Sequence, residues 1–96
     1  MKILAISKDL PGANWDGVEQ ILQEEARALH QLYLSNQVRE MYFTGQDDAM
    51  LILESPSPEE ALELLQQLPL VRHGMIGFEV TELSPYTGFS RLFSDV

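Results

Sequence analysis

Between residues 53 and 74 lies a helix whose two ends are both written in the chain. Ser57-Pro58-Glu59-Glu60 supplies a serine N-cap, a proline at the first helical position and a glutamate three residues after the cap. Ala61, Leu62, Leu65 and Leu68 recur at helical spacing, and Pro69, which has no N–H to donate, ends the pattern. A helix with one apolar stripe must lie against something. The apolar runs on either side of it, residues 49–53 and 75–81, have the length and composition of strands.

The rest of the chain extends this layout. Residues 2–7 form a short run rich in Ile and Leu, followed by turn-forming residues at 8–12. Asp16-Gly17-Val18-Glu19 has the spacing of a capping box. Val18, Leu22, Ala26, Leu29 and Tyr33, with Ile21 and Leu32 beside them, then make an apolar helical stripe, with Asn36 as its C-cap. Residues 38–43 read as a second strand, joined to 49–53 through Thr44-Gly45-Gln46-Asp47-Asp48 as a hairpin. The order βαββαβ predicts a ferredoxin-like α+β sandwich over a single domain, residues 1–96, with both helices on one face of an antiparallel sheet.

That layout leaves the other sheet face bare. In the first strand Ile3, Ala5 and Ser7 alternate with Leu4 and Ile6; in the last, Gly77, Glu79 and Thr81 alternate with Ile76, Phe78 and Val80. Neither face is wholly polar, so a monomer would expose apolar surface. A chain of 96 residues buries only roughly 60–65% of its unfolded surface. There is no cysteine to add a disulfide. These features predict a homodimer with sheets packed face to face, a dimeric α+β barrel enclosing a cavity. An aromatic tail with Tyr86, Phe89 and Phe93 is expected to pack on a neighbouring subunit.

Fifteen acidic residues against six basic ones give a net charge of −9, which disfavours a phosphate-rich partner such as nucleic acid. The acidity is spread over helices and loops, as on a solvated surface. No apolar stretch approaches the roughly 20 residues of a membrane helix. The opening residues lack the features of a secretion signal, and a cytoplasmic location is the expectation.

No self-sufficient catalytic or metal motif stands out. The two histidines, His30 and His73, are far apart in sequence and, without cysteine, do not make a zinc signature; no metal is expected. Charged side chains inside strands carry more information, because on a half-buried sheet they must be paired, solvated or functional. Arg39 and Glu79 either line a polar spot in the cavity, with desolvation making the carboxylate a proton shuttle, or form an edge-strand ion pair. Tyr42 either donates to an oxyanion or packs, and alternation puts it opposite Arg39 unless a bulge intervenes. His73 reads as a base or as an exposed loop residue. Ser7, Tyr42 and His73 are the candidate ligand-binding side chains.

The block from Ser55-Pro56-Ser57 through Glu60-Ala61-Leu62, then Gln67-Leu68-Pro69-Leu70, then Phe78-Glu79-Val80, resembles the muconolactone delta-isomerase family. The resemblance implies the βαββαβ order, a dimeric barrel assembled into larger rings, and a cofactor-independent isomerisation that moves a proton within a butenolide lactone. It also implies a catalytic Glu79, matching the family's last strand, and places Arg39 near a basic segment of the second. The chain departs from the family at Val71-Arg72-His73 and at Ser84-Pro85-Tyr86. Two functions follow: a protein that binds a small cyclic acid or lactone in a dimer cavity and isomerises it by proton transfer, or a non-enzymatic oligomeric binding or stress-related module with the same fold.

Overall fold

The first strand shows how the sheet is built. In β1 (Lys2–Asp9) Ile3, Ala5 and Ser7 are buried while Leu4 and Ile6 are half-buried, the period-two alternation of a strand between a packed and an open face. A computed structural model describes residues 1–93; the last three positions of the expected 1–96 domain lie outside the described residues. After β1 come α1 (Glu19–Leu34), β2 (Val38–Phe43), β3 (Ala49–Glu54), α2 (Pro58–Leu65), α3 (Pro69–Arg72) and β4 (Ile76–Leu83). A short 3-10 helix follows at Gly88–Leu92. The four strands form one antiparallel sheet in the order β2-β3-β1-β4. This is the ferredoxin-like α+β arrangement.

Helix α2 begins as the residues dictate. Ser57 Oγ accepts from the Glu60 N–H at 3.1 Å, and Pro58 occupies the first turn. Its buried residues, Ala61 and Leu65, meet Ile3, Leu51, Leu53 and Val38 in the main core. α2 ends at Leu65, earlier than the apolar pattern running to Leu68 predicts, and Pro69 opens α3, a single turn absent from the sequence expectation.

Helix α1 departs from expectation at both ends. Asp16 does not cap it: the Asp16 N–H is held by Asn14 Oδ1 at 3.0 Å, the helix starts after Val18, and no side chain caps it. The capping-box spacing fails because Gly17 takes a left-handed conformation, φ 68°, and turns the chain there. Asn36 lies one residue past the Ser35 cap, at φ 65°. Its N–H donates to Tyr33 O and the Gln37 N–H to Leu32 O, the paired bonds that close a helix through a left-handed residue. The expected stripe also splits. Ile21, Leu29 and Leu32 turn inward, while Leu22, Ala26 and Tyr33 remain exposed and Glu25 is buried in their place.

The open face has Ile52 at its centre, with Leu4, Ile6 and Met50 half-buried around it and Glu40, Tyr42, Glu79 and Thr81 toward the edges. Beyond β4 the tail leaves the body. Tyr86, Phe89, Leu92 and Phe93 are 66–79% exposed, and the radius of gyration is 16.3 Å where a compact chain of this length has about 13 Å.

Candidate functional site

One end of the sheet and the side of α1 enclose an apolar groove of about 300 Å³. Ser7 and Ala49 form its floor from β1 and β3, and Ile76 closes one side from β4. Leu22, Ala26 and Leu29, at helical spacing on α1, make the facing wall. Leu22 and Ala26 are stripe residues that the core does not use, and Leu29 borders both core and groove. Trp15, in the loop before α1, and Phe43, at the end of β2, flank it. Apolar wall predominates, as is usual for small-molecule sites.

Glu25 is the unusual member of that wall. Only 7% of the residue is exposed, and its Oε1 accepts from the backbone N–H of Leu70 at 3.0 Å. Burial raises its pKa above the ordinary carboxyl range, and the bond from Leu70 only partly opposes that. Every fully enclosed side-chain oxygen or nitrogen among the described residues has a hydrogen-bond partner. Among the described residues the second Glu25 oxygen has no hydrogen-bond partner, so it is not fully enclosed. A carboxyl group with one oxygen tethered and one free, in apolar surroundings, can accept and return a proton. Ser7, 4% exposed, accepts from the Ala49 N–H at 2.8 Å and keeps its own hydroxyl proton to donate.

The residues singled out from sequence lie elsewhere, except for Ser7. Glu79 is exposed on the open sheet face, paired in register with Ile6. Arg39 is the extra residue of a bulge between Val38 and Glu40, and its Nε donates to the Asn36 carbonyl at 2.8 Å. β2 and β4 are opposite edges of the sheet, so within one chain Arg39 and Glu79 are separated by three strand spacings, about 14 Å, across the sheet and by a further offset along it. The Tyr42 hydroxyl donates to Glu40 Oε1 at 2.8 Å; that bond first, then the carboxylate's charge and a little desolvation, raises the phenol's pKa. His73 caps the end of α3 and sits exposed beside a shallow surface depression with Asn14 and Asp16.

Glu25 was not among the expected site residues, although a signal existed. It stands four residues after Ile21 and four before Leu29, a single carboxylate inside an apolar helical stripe. Among the described residues no group of three His, Cys, Asp or Glu side chains is placed to hold a metal ion.

Fold and groove together define a small ferredoxin-like α+β protein with an apolar site beside its first helix. No family model matches the chain, and no curated protein matches it in sequence. Among solved structures it is similar to muconolactone isomerase, with a TM-score of 0.74, 22% identity, and 91% of this chain and 92% of that one covered. It is also similar to 5-chloro-2-hydroxyhydroquinone dehydrochlorinase (TftG) from Burkholderia phenoliruptrix AC1100, in complex with 2,5-dihydroxybenzoquinone. There the TM-score is 0.64, the identity 20%, and the coverage 92% of this chain and 98% of that one. The chain therefore has the fold of muconolactone isomerase over nearly its whole length.

Proposed function

We propose that the chain is a muconolactone-isomerase-like protein that takes a small ring compound into the α1 groove and moves a proton within it through Glu25. The observation that carries this reading is the buried carboxyl group on the groove's lining, with one oxygen held by the Leu70 N–H and the other without a partner among the described residues. In such a step Glu25 breaks one ring C–H beside a carbonyl, holds that proton while the enolate exists, and returns it at another carbon. Its raised pKa suits a group that must hold the proton between the two halves. Ser7 hydroxyl and the Trp15 indole N–H are the uncharged donors on the lining residues for an enolate oxygen. Both named neighbours in structure, an isomerase and a dehydrochlorinase, support the reading by analogy of fold alone.

The test is hydrogen exchange into an unsaturated five-membered lactone, followed by proton NMR in heavy water. Wild-type protein should accelerate exchange at a ring carbon, and Glu25→Gln should lower that rate by about 10²–10⁴-fold, the usual weight of a general base. Exchange no faster than in buffer alone would remove the proton-transfer reading.

A second reading, ligand binding without chemistry, is favoured by one observation: no Lys, Arg or His lines the groove to stabilise a developing enolate. Self-association belongs to both readings. The apolar centre of the open sheet face around Ile52 and the exposed aromatic tail fit a dimer whose sheets face each other. Light scattering that gives a monomer at micromolar concentration would sink this arrangement.

A further inference from the structure

The groove has a charge character that the fold does not dictate. Among the described residues its lining holds three carboxyl groups, Glu25 within the wall and Asp9 and Asp47 at exposed positions of its mouth, and no basic side chain. The nearest cation along β1, Lys8, is already engaged by Asp48 at 2.6 Å. Arg39 lies four residues back along β2 from Phe43, about 13 Å by strand rise, and its guanidinium is turned to the Asn36 carbonyl. The N-terminal amine and Lys2 belong to the opposite end of the sheet, where Met1 bonds Ser55 and Lys2 pairs in register with Glu54. An anionic ligand entering the groove would lose water, meet no cation and face two or three carboxylates.

From this placement we infer that the groove selects uncharged monocyclic compounds and rejects their carboxylate counterparts. This rests on the groove being the ligand site, as proposed above, and narrows the ligand from cyclic acids and lactones to the neutral members. Size agrees with charge: about 300 Å³ is at the small end of ligand pockets and suits one ring with short substituents. Trp15 and Phe43 offer ring faces at its edges, and aromatic surface packs against a flat ligand without requiring charge.

Trp15 is the chain's single tryptophan, so its fluorescence reports occupancy of this groove without added label. The experiment titrates the full chain with three ring acids, muconolactone, phenylacetate and cyclohexanecarboxylate, each against its methyl ester. Expected is binding of at least one ester with an affinity tenfold or more above its acid. The ratio should fall at least threefold in the Asp9→Asn/Asp47→Asn variant, and should also shrink between 0.05 and 0.5 M salt, since exposed carboxylates are screened. Both positions are on the surface, and the salt series provides the same readout in unmutated protein. An acid that binds as tightly as its ester overturns the selectivity while leaving the groove reading intact. No response to any ester overturns both together. An ester preference unmoved by either the variant or salt overturns the assignment to the mouth carboxylates.

Discussion

Replacing Glu25 separates its two physical roles, because one depends on pH and the other does not. Burial holds its pKa above the ordinary carboxyl range. Between the unfolded value, roughly 4.3, and the folded one, the native state keeps a proton that the unfolded chain has released. The stability this group contributes is thus fully present below the unfolded pKa and is lost as pH rises through the folded pKa. Glu25→Gln keeps shape and acceptor but cannot titrate. It should match wild type near pH 4, where Glu25 is neutral, and become progressively more stable than wild type toward pH 8.

Glu25→Ala removes the acceptor as well. The Leu70 N–H, on a residue only 8% exposed, is then left without a partner, which costs about 1–3 kcal/mol. The lost methylene adds about 0.8 kcal/mol. Taken together near acid pH, where no charge is buried, the loss is about 3 kcal/mol, or about 12–24 °C in Tm for a domain of this size. Urea unfolding followed by circular dichroism, at one protein concentration and at pH 4 and 8, measures both effects. Parallel pH curves for wild type and Glu25→Gln would refute the assignment of the raised pKa. Equal stability of the Ala and Gln variants at pH 4 would refute the role of the bond to Leu70.

Three further outcomes follow from the packing. Leu65→Ala, at a side chain with no exposed surface, should cost about 3–5 kcal/mol in urea unfolding, with m unchanged. Ser57→Ala should cost about 1 kcal/mol by removing the α2 cap, with Ser57→Asp close to neutral. Deleting residues 84–96 should leave the unfolding midpoint of the isolated chain within a few degrees, since the described tail side chains are exposed, yet lower the average mass seen by sedimentation equilibrium.

The strands and α2 were legible because their signals are local. Alternation in β1, the Ser57-Pro58 start and the Thr44–Asp48 turn each need only their own residues, and β2 occupies residues 38–43 as read. The start of α1 was misread for a reason equally local but invisible to spacing. Gly17 turns the chain between Asp16 and Glu19, so residues at capping distance in sequence do not meet. The site was harder still. Spacing does not tell that Arg39 and Glu79 lie on opposite edges of one sheet; that follows from the order β2-β3-β1-β4, which is set by which strands pair across the chain. Periodicity does not distinguish the two apolar sides of α1, because Leu22, Ala26 and Leu29 satisfy the same spacing whether they pack on the sheet or line a groove.

Glu25 and the Gln67-Leu68-Pro69-Leu70 segment explain one another. Leu68 is extended, and Pro69, the first residue of α3, has no N–H, so the first backbone donor of that helix is Leu70's. In a helix of one turn that donor has no carbonyl behind it, and Leu70 is buried, so water does not reach it either. A partner must come from another element, and α1 supplies it with a carboxylate. Once one carboxylate oxygen is tied to Leu70, the side chain is held among the lining residues of the groove. The first-turn donor that α3 leaves unpaired thereby holds Glu25, the carboxyl group whose pKa burial raises, at the groove.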